Sequence, residues 1–131
     1  MRGFIKGIGM TFYGQKYFGE IEFSNVYCRL IEVARKHKIV NYREIAQIMV
    51  IPQSGNYMSR ETGQILGEIS QFEHKHKRPL LSAVVVRLDL GVPGKGFFDL
   101  SNHLGRFKGG SRQDKKKFWE QELQTVYATW G

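Results

Sequence analysis

The stretch RPLLSAVVVRLDLGVPGKGFF, residues 78–98, joins an apolar run to a glycine-rich segment. Residues 80–86 are apolar apart from Ser82 and rich in valine, which predicts a strand buried on both faces. Residues 91–96 contain three glycines and a proline, which predict a loop whose backbone can come close to a ligand. We therefore expect one buried strand that ends in a glycine loop, an arrangement that often presents a binding site.

Length and charge narrow the classes of protein to consider. A chain of 131 residues predicts a single domain, and its 41% hydrophobic content is ordinary for a globular protein. The 20 Lys and Arg residues exceed the 12 Asp and Glu residues and give a net charge of +8. This excess favours an anionic partner, with nucleic acid the first expectation and simple solubility the alternative.

The sequence disfavours disulfide-bonded, zinc-finger, membrane-spanning and secreted proteins. The only cysteine, Cys28, excludes an internal disulfide and a cysteine-based zinc site. No apolar run approaches the roughly 20 residues of a membrane span, and residues 1–10 do not have the pattern of a secretory signal. We expect a cytoplasmic protein that does not bind membranes.

Residues 1–23 alternate glycines with aromatic and basic residues. This pattern predicts either a hairpin that turns at residues 13–15 or an arm that orders on binding, where rings stack and cations meet phosphate. An edge strand covering the core is the alternative without a functional role.

Helical periodicity and capping residues predict the next two helices. Ser24 is a good N-cap for a helix over residues 25–37. Asn41 is a good N-cap for a short helix over residues 42–49, with Glu44 placed as in a capping box.

A third helix is predicted from Asn56 or Ser59 to about residue 76. Two helices joined by a loop and followed by a strand, a turn and a strand are arranged in the order of a winged helix-turn-helix. In that fold, the third helix predicted here would enter the major groove. The side chains at its start would then face bases, since Arg reads guanine and Gln reads adenine; they are Ser59, Arg60, Thr62 and Gln64. The alternative is a solvated helix start with Ser59 as a cap only.

The C-terminal quarter predicts a helix over residues 97–104, a basic loop and a last helix over residues 113–130 capped by Ser111. Lysines 115–117 lie in the first turns of this helix, where an anion would offset their unfavourable placement. Its apolar stripe either docks on the domain or offers a surface for a homodimer or a protein partner.

Residues 27–91 resemble the helical DNA-binding part of the O6-alkylguanine alkyltransferases and the alkyltransferase-like proteins. The family's V-T-Y-G-E-I-A entry to a helix is similar to VNYREIA at 40–46, and its G-x-A-L recognition helix to GQILGEI at 63–69. The family's P-C-H-R-V-V strand is similar to LSAVVV at 81–86. The resemblance implies a winged-helix domain that binds DNA.

The active-site positions of that family differ here. Ser82 stands where the family has its alkyl-accepting cysteine, and Ala83 and Val84 stand where it has histidine and arginine. We therefore expect no alkyl transfer to this chain, and a related fold that binds DNA without repairing it.

Enzymatic alternatives have weaker motifs. His74 and His76 are two residues apart and point to different sides of a helix, so they are poor joint metal ligands. The glycine loop does not have the G-K-[ST] ending of a P-loop but could offer its N–H groups to a phosphate or a flipped base. The runner-up function is a small nuclease-like enzyme whose site lies in residues 82–98.

The sequence therefore predicts an α+β fold: a single small domain with winged helix-turn-helix-like helices, a short β element and a C-terminal helix. Residues 1–23 form the arm or hairpin and residues 24–131 the domain. We expect double-stranded DNA as partner, with RNA as the alternative, and no cofactor, metal ligand or catalytic residue. The predicted nucleic-acid-binding residues are Tyr42, Arg43, Ser59, Arg60, Thr62, Gln64, Lys75, Lys77, Arg78, Lys95, Arg106, Lys108, Arg112, Lys115, Lys116 and Lys117.

Overall fold

A computed structural model describes residues 13–131. The elements in chain order are α1 (Ile21–Arg35), β1 (Val40–Asn41), α2 (Tyr42–Met49), α3 (Gly55–Lys75), a 3-10 helix (Leu81–Val84), β2 (Val85–Val86), α4 (Lys95–His103) and α5 (Arg112–Trp130). The two strands pair in parallel, with Val40 opposite Val85 and Asn41 opposite Val86. The small, mostly helical α+β domain that the sequence predicted is confirmed.

The apolar run at 80–86 is the centre of the core, but it is not the continuous strand that was predicted. All seven residues are buried, and α1, α3 and α5 pack around them. Residues 81–84 form a 3-10 helix, and only Val85 and Val86 are in a strand. The burial was predicted correctly and the conformation wrongly, because the only paired strand beside this run in the described chain is two residues long.

Side chains from distant parts of the chain replace the missing sheet partners. The buried carboxylate of Glu122 accepts the N–H of Leu80 at 2.7 Å, and the indole N–H of Trp119 donates to the carbonyl of Ala83 at 2.8 Å. Buried backbone groups need such partners, so these contacts allow the run to lie inside without a full sheet.

The predicted strand-turn-strand is not formed. Within residues 13–131, β2 pairs with β1 and with no later strand. After Val86 the chain makes a loop over residues 87–94 and enters α4 directly. A loop therefore occupies the place where a hairpin wing was expected.

Capping residues predicted some helix starts and missed others. α2 has the predicted bounds, and the Asn41 side chain accepts the N–H of Glu44. α1 begins before Ser24, because the carbonyl of Glu20 already accepts the N–H groups of Phe23 and Ser24. α3 also begins early, at Gly55 after Ser54, so neither of its two predicted caps lies at the N-cap.

The predicted Ser111 cap of α5 is confirmed, since its hydroxyl accepts the N–H of Asp114. The apolar stripe of α5 is buried in the domain through Trp119, Leu123, Val126 and Tyr127. Docking of this stripe on the domain was one of the two expectations from the sequence; a homodimer or protein partner stays a prediction. In the described part of the chain, no helix is both long and apolar enough to cross a bilayer.

The hairpin or arm predicted for residues 1–23 falls partly outside the described residues, which start at Tyr13. Residues 13–20 contain no strand, and α1 starts at Ile21. Residues 16–20, where the second strand of a hairpin turning at residues 13–15 would lie, form bends and turns, and its first strand falls outside the described residues. The described part of this region is a short segment, residues 13–18, that packs against α3.

Candidate nucleic-acid interface

A cleft of about 770 Å³ lies between the first half of α3, the start of α2, the loop at 87–94 and the start of α4. Among residues 13–131, the charged side chains that line it are Arg43, Arg60, Arg87, Lys95 and Asp89. Rings of Tyr13, Tyr42 and Phe97 also line it. The cleft thus combines positive charge, aromatic surface and polar groups in a volume typical of small-ligand sites.

Tyr42 fastens the glycine loop to α2. Its phenol oxygen accepts the N–H of Gly94 at 2.8 Å. Burial raises the pKa of Tyr42, so its phenol is neutral at physiological pH. A Cβ at Gly94 would lie 3.4 Å from that oxygen, so glycine allows the loop to approach closely.

Tyr13 forms another wall of the cleft. Its ring packs flat against α3 at Gly67, where a Cβ would collide with it, and its hydroxyl lies near Gly96. The side-chain amide of Gln71 accepts the N–H of Tyr13 at 2.6 Å and donates to its carbonyl at 3.0 Å. Burial first, and the charge of Asp99 second, raise the pKa of Tyr13.

The carboxylate of Glu68 anchors the segment that follows Tyr13. It is almost fully buried and accepts the N–H groups of Lys16, Tyr17 and Phe18 at 2.9–3.1 Å. The amide of Gln64 donates to the same carboxylate at 2.7 Å and to the carbonyl of Gly14 at 2.9 Å.

Glu61 completes the stripe of α3 that holds residues 13–18. Its carboxylate is 3% exposed and meets the ammonium of Lys16 at 2.6 Å, the hydroxyl of Tyr17 and the guanidinium of Arg60 at 3.2 Å. These hydrogen bonds, that of Lys16 foremost, hold the pKa of Glu61 at about 2. Sequence reasoning missed this role, although Glu61, Gln64, Glu68 and Gln71 are three or four residues apart, the spacing of one helix face.

All four predicted base-facing residues line the cleft, but only two offer their side chains. Ser59 and Arg60 are exposed, and the guanidinium of Arg60 lies 5.3 Å from the ring centroid of Tyr57. Thr62 is fully buried, and its hydroxyl donates to the carbonyl of Met58 at 2.8 Å. The hydroxyl of Thr62 and the amide nitrogen of Gln64 therefore have partners within the protein, and their contact with bases stays a prediction.

Two of the predicted phosphate contacts are internal. Arg78 donates two hydrogen bonds to the fully buried carboxylate of Glu73, at 3.0 and 2.9 Å. Arg106 donates to Glu122, to the ring of His74 and to the carbonyl of Arg78, all within 2.9 Å. Their guanidinium groups satisfy buried acceptors, so the expectation that they meet phosphate is not supported.

The remaining predicted cations divide into three places. Arg43 and Lys95 line the cleft, and Lys95 also pairs with Asp99 at 2.7 Å. Lys75 and Lys77 lie at the far end of α3, about 30 Å from its first turn for 21 residues at 1.5 Å each. A third group lies on the loop before α5 and on its first turns: Lys108, Arg112, Lys115, Lys116 and Lys117. The predicted residues therefore lie at the cleft, at the C-terminal end of α3 and around the start of α5.

The structure shows the surroundings of Ser82, the first residue of the region named for the enzymatic alternative. The hydroxyl of Ser82 is buried and pairs with that of Ser70 at 2.6 Å, and the Ser82 N–H also donates to Ser70. Among residues 13–131, no group of three His, Cys, Asp or Glu side chains is placed to hold a metal ion. Ser82 therefore acts as a structural residue under the cleft.

Comparisons of the chain with protein-family models, curated proteins and solved structures find no match. The cleft itself is therefore the basis for a functional proposal.

Proposed function

We propose that this chain binds double-stranded DNA with the face that carries the cleft, and that the cleft receives one base extruded from the duplex. The observation behind this proposal is that four exposed cations of the described chain line a cleft of about 770 Å³. Three of them also pair with a carboxylate, whereas Arg43 has no ion pair among the described residues. A polyanion is attracted to such a surface, and an extruded base requires a pocket behind it.

The exposed cations are placed to contact the backbone. Arg43 lies in the first turn of α2 and Lys95 in the first turn of α4, on two elements that border the cleft. Helix starts also present free N–H groups that favour phosphate. In this arrangement Arg43 and Lys95 hold the strand on either side of the extruded nucleotide.

The exposed start of α3 supports a role in reading bases. Ser59 and Arg60 extend from its first two turns, and Arg60 can form a bidentate contact with guanine. We propose that α2 and α3 act as a helix-turn-helix and that the loop at 87–94 takes the place of a wing. This is the winged-helix relationship to the alkyltransferase-like proteins, held here as a proposal.

The proposal does not include chemistry on the bound base. Ser82 lies in the cleft lining, but its hydroxyl is paired with Ser70 and the described residues provide it with no basic partner. A buried serine without a base is a poor nucleophile. We therefore expect recognition without covalent transfer.

The test is the salt dependence of binding to a fluorescently labelled duplex. Each phosphate contact contributes about 0.9 to the slope of log affinity against log salt, so Arg43→Ala and Lys95→Ala should each reduce it by about 0.9. Lys36→Ala is the matched control, because Lys36 is exposed at the end of α1 and does not line the cleft.

An affinity that does not change with salt would contradict the proposal, as would an equal effect of all three substitutions. Single-stranded DNA and RNA of the same sequence provide the comparison. Tighter binding to RNA would replace duplex DNA as the partner.

A further inference from the structure

The loop after β2 holds two leucines in water. The side chains of Leu88 and Leu90 are among the exposed large apolar groups of the described chain, with 65% and 61% of their surface accessible. Single exposed leucines are common on protein surfaces. Here internal hydrogen bonds hold their loop, and Leu88 lies both in the lining of the cleft and largely in water.

Hydrogen bonds within the loop define its shape. Arg87 donates its N–H to the carbonyl of Val92 at 2.9 Å, and Gly91 donates to the carbonyl of Arg87 at 2.8 Å. The Arg87 guanidinium donates hydrogen bonds to both carboxylate oxygens of Asp89, at 3.0 and 2.7 Å. Gly91 adopts a φ of +69°, which favours glycine. A rigid loop loses little entropy when its tip is buried by a partner.

The two leucines differ in position. Leu88 contributes to the lining of the cleft, together with Arg87 and Lys95, whereas Leu90 does not. An apolar side chain at the mouth of a positively charged cleft lies where a duplex would have to open to deliver a base.

We propose that Leu88 is a wedge that enters the base stack and fills the space left by the extruded nucleotide. This inference rests on the proposed function. Leucine is one of the apolar residues that proteins insert between base steps, and the inserted side chain restores contacts that the extruded base has lost.

Charge and shape favour duplex DNA over other partners of an exposed leucine. Arg43 and Lys95, exposed cations that line the cleft together with Leu88, suit a phosphate backbone on either side of the opened step. The concave cleft behind it suits one planar base, whereas a membrane surface or a flat protein surface would leave that volume empty.

The experiment compares Leu88→Ala with Leu90→Ala, a matched loss of one exposed leucine from the same loop. The probe is a duplex with 2-aminopurine in a mismatched pair, since this base fluoresces more strongly when it leaves the stack. Affinity for the same duplex with a matched pair is measured in parallel, together with the salt slope of both.

We expect the wild-type chain to raise the fluorescence and to prefer the mismatched duplex. Leu88→Ala should reduce that preference about tenfold, because unstacking one step costs enough to change an equilibrium by that factor. Its salt slope should remain that of the wild type. Leu90→Ala should match the wild type in both measurements, and Leu88→Phe should retain the fluorescence rise.

Each other outcome is decisive. If the wild-type chain binds the duplex with a salt slope but Leu88→Ala has the same fluorescence rise and preference, the wedge is refuted and the proposed function stands. If both alanine variants lose duplex binding equally, the loop is a general apolar surface and the wedge is again refuted. The same conclusion follows if the chain binds anionic vesicles and both variants weaken that binding. If the wild-type chain does not bind the duplex, both proposals fail.

Discussion

Replacing Arg78 with alanine tests how a buried charge is compensated in this domain. Glu73 is fully buried, and Arg78 donates two hydrogen bonds to its carboxylate. The hydroxyl of Tyr27 donates a third at 2.7 Å, and the Arg78 guanidinium lies 5.8 Å from the ring centroids of Phe72 and Trp130. Arg78→Ala leaves this carboxylate with the tyrosine as its only remaining side-chain donor among those described.

The expected cost follows from that burial. Removing one partner of a buried ion pair costs about 3–5 kcal/mol. The side chain of Arg78 is 31% exposed, so water can enter the space it leaves, and we take the lower value, about 3 kcal/mol. That cost is a large fraction of the free energy of unfolding of a typical domain, which is roughly 5–15 kcal/mol.

Arg29 is the matched control. Its side chain is 35% exposed and also meets two carboxylates, but those of Glu32 and Glu44 are 51% and 31% exposed. Exposed pairs of this kind contribute about 0–1 kcal/mol, so Arg29→Ala should cost less than about 1 kcal/mol. Urea unfolding followed by circular dichroism measures both free energies, provided that the m-value is unchanged.

The reasoning is refuted if Arg78→Ala costs no more than Arg29→Ala. A double variant with Glu73→Gln adds a second check, because it removes the charge that Arg78 neutralises and should cost less than the sum of the single variants. Arg78→Ala should also leave the salt slope of DNA binding unchanged, whereas a fall of about 0.9 would make Arg78 a phosphate contact.

Two further predictions concern the docking of residues 13–18. Gly67→Ala places a methyl group against the ring of Tyr13 and should displace that ring. The measurement is tryptic cleavage after Lys16, which should become faster. Gly63→Ala is the control, because its new Cβ has nothing within 4 Å; it should leave cleavage unchanged and stabilise α3 by up to about 1 kcal/mol. Equal cleavage of the two variants would contradict this docking. The folded-state pKa of Glu61, about 2, lies below its ordinary value of 4.5, so its contribution to stability is present above pH 4.5 and is lost as the pH falls toward 2. The urea midpoint of Glu61→Gln should therefore fall less steeply over that range than the wild-type midpoint, and parallel curves would argue against the Lys16 and Tyr17 contacts.

Local signals predicted the elements whose stability is local. The Asn41 cap and the apolar spacing after it gave α2 its observed bounds. The run at 80–86 was predicted to be buried, because its composition leaves no other place for it. Its 3-10 conformation depends on Glu122 and Trp119, which lie about forty residues further along the chain, and no local pattern contains that information.

The candidate site was also predicted only in part, where local spacing determines which side chains are exposed. The residue types expected at the start of α3 line the cleft, because helical spacing places Ser59 and Arg60 at its exposed end. Thr62 and Gln64 were assigned to DNA from their chemistry and their place at the start of the predicted helix, and Arg78 from its charge. Their partners come from other turns of the chain, and side-chain chemistry does not say whether a group is already occupied.

The most direct test of the central claim is a titration of isotope-labelled protein with duplex DNA, followed through backbone amide chemical shifts. The account predicts that the largest changes fall on the elements around the cleft, at Ser59, Arg60, Leu88 and Lys95. Changes confined to the far end of α3 and to α5, or no changes at all, would contradict it.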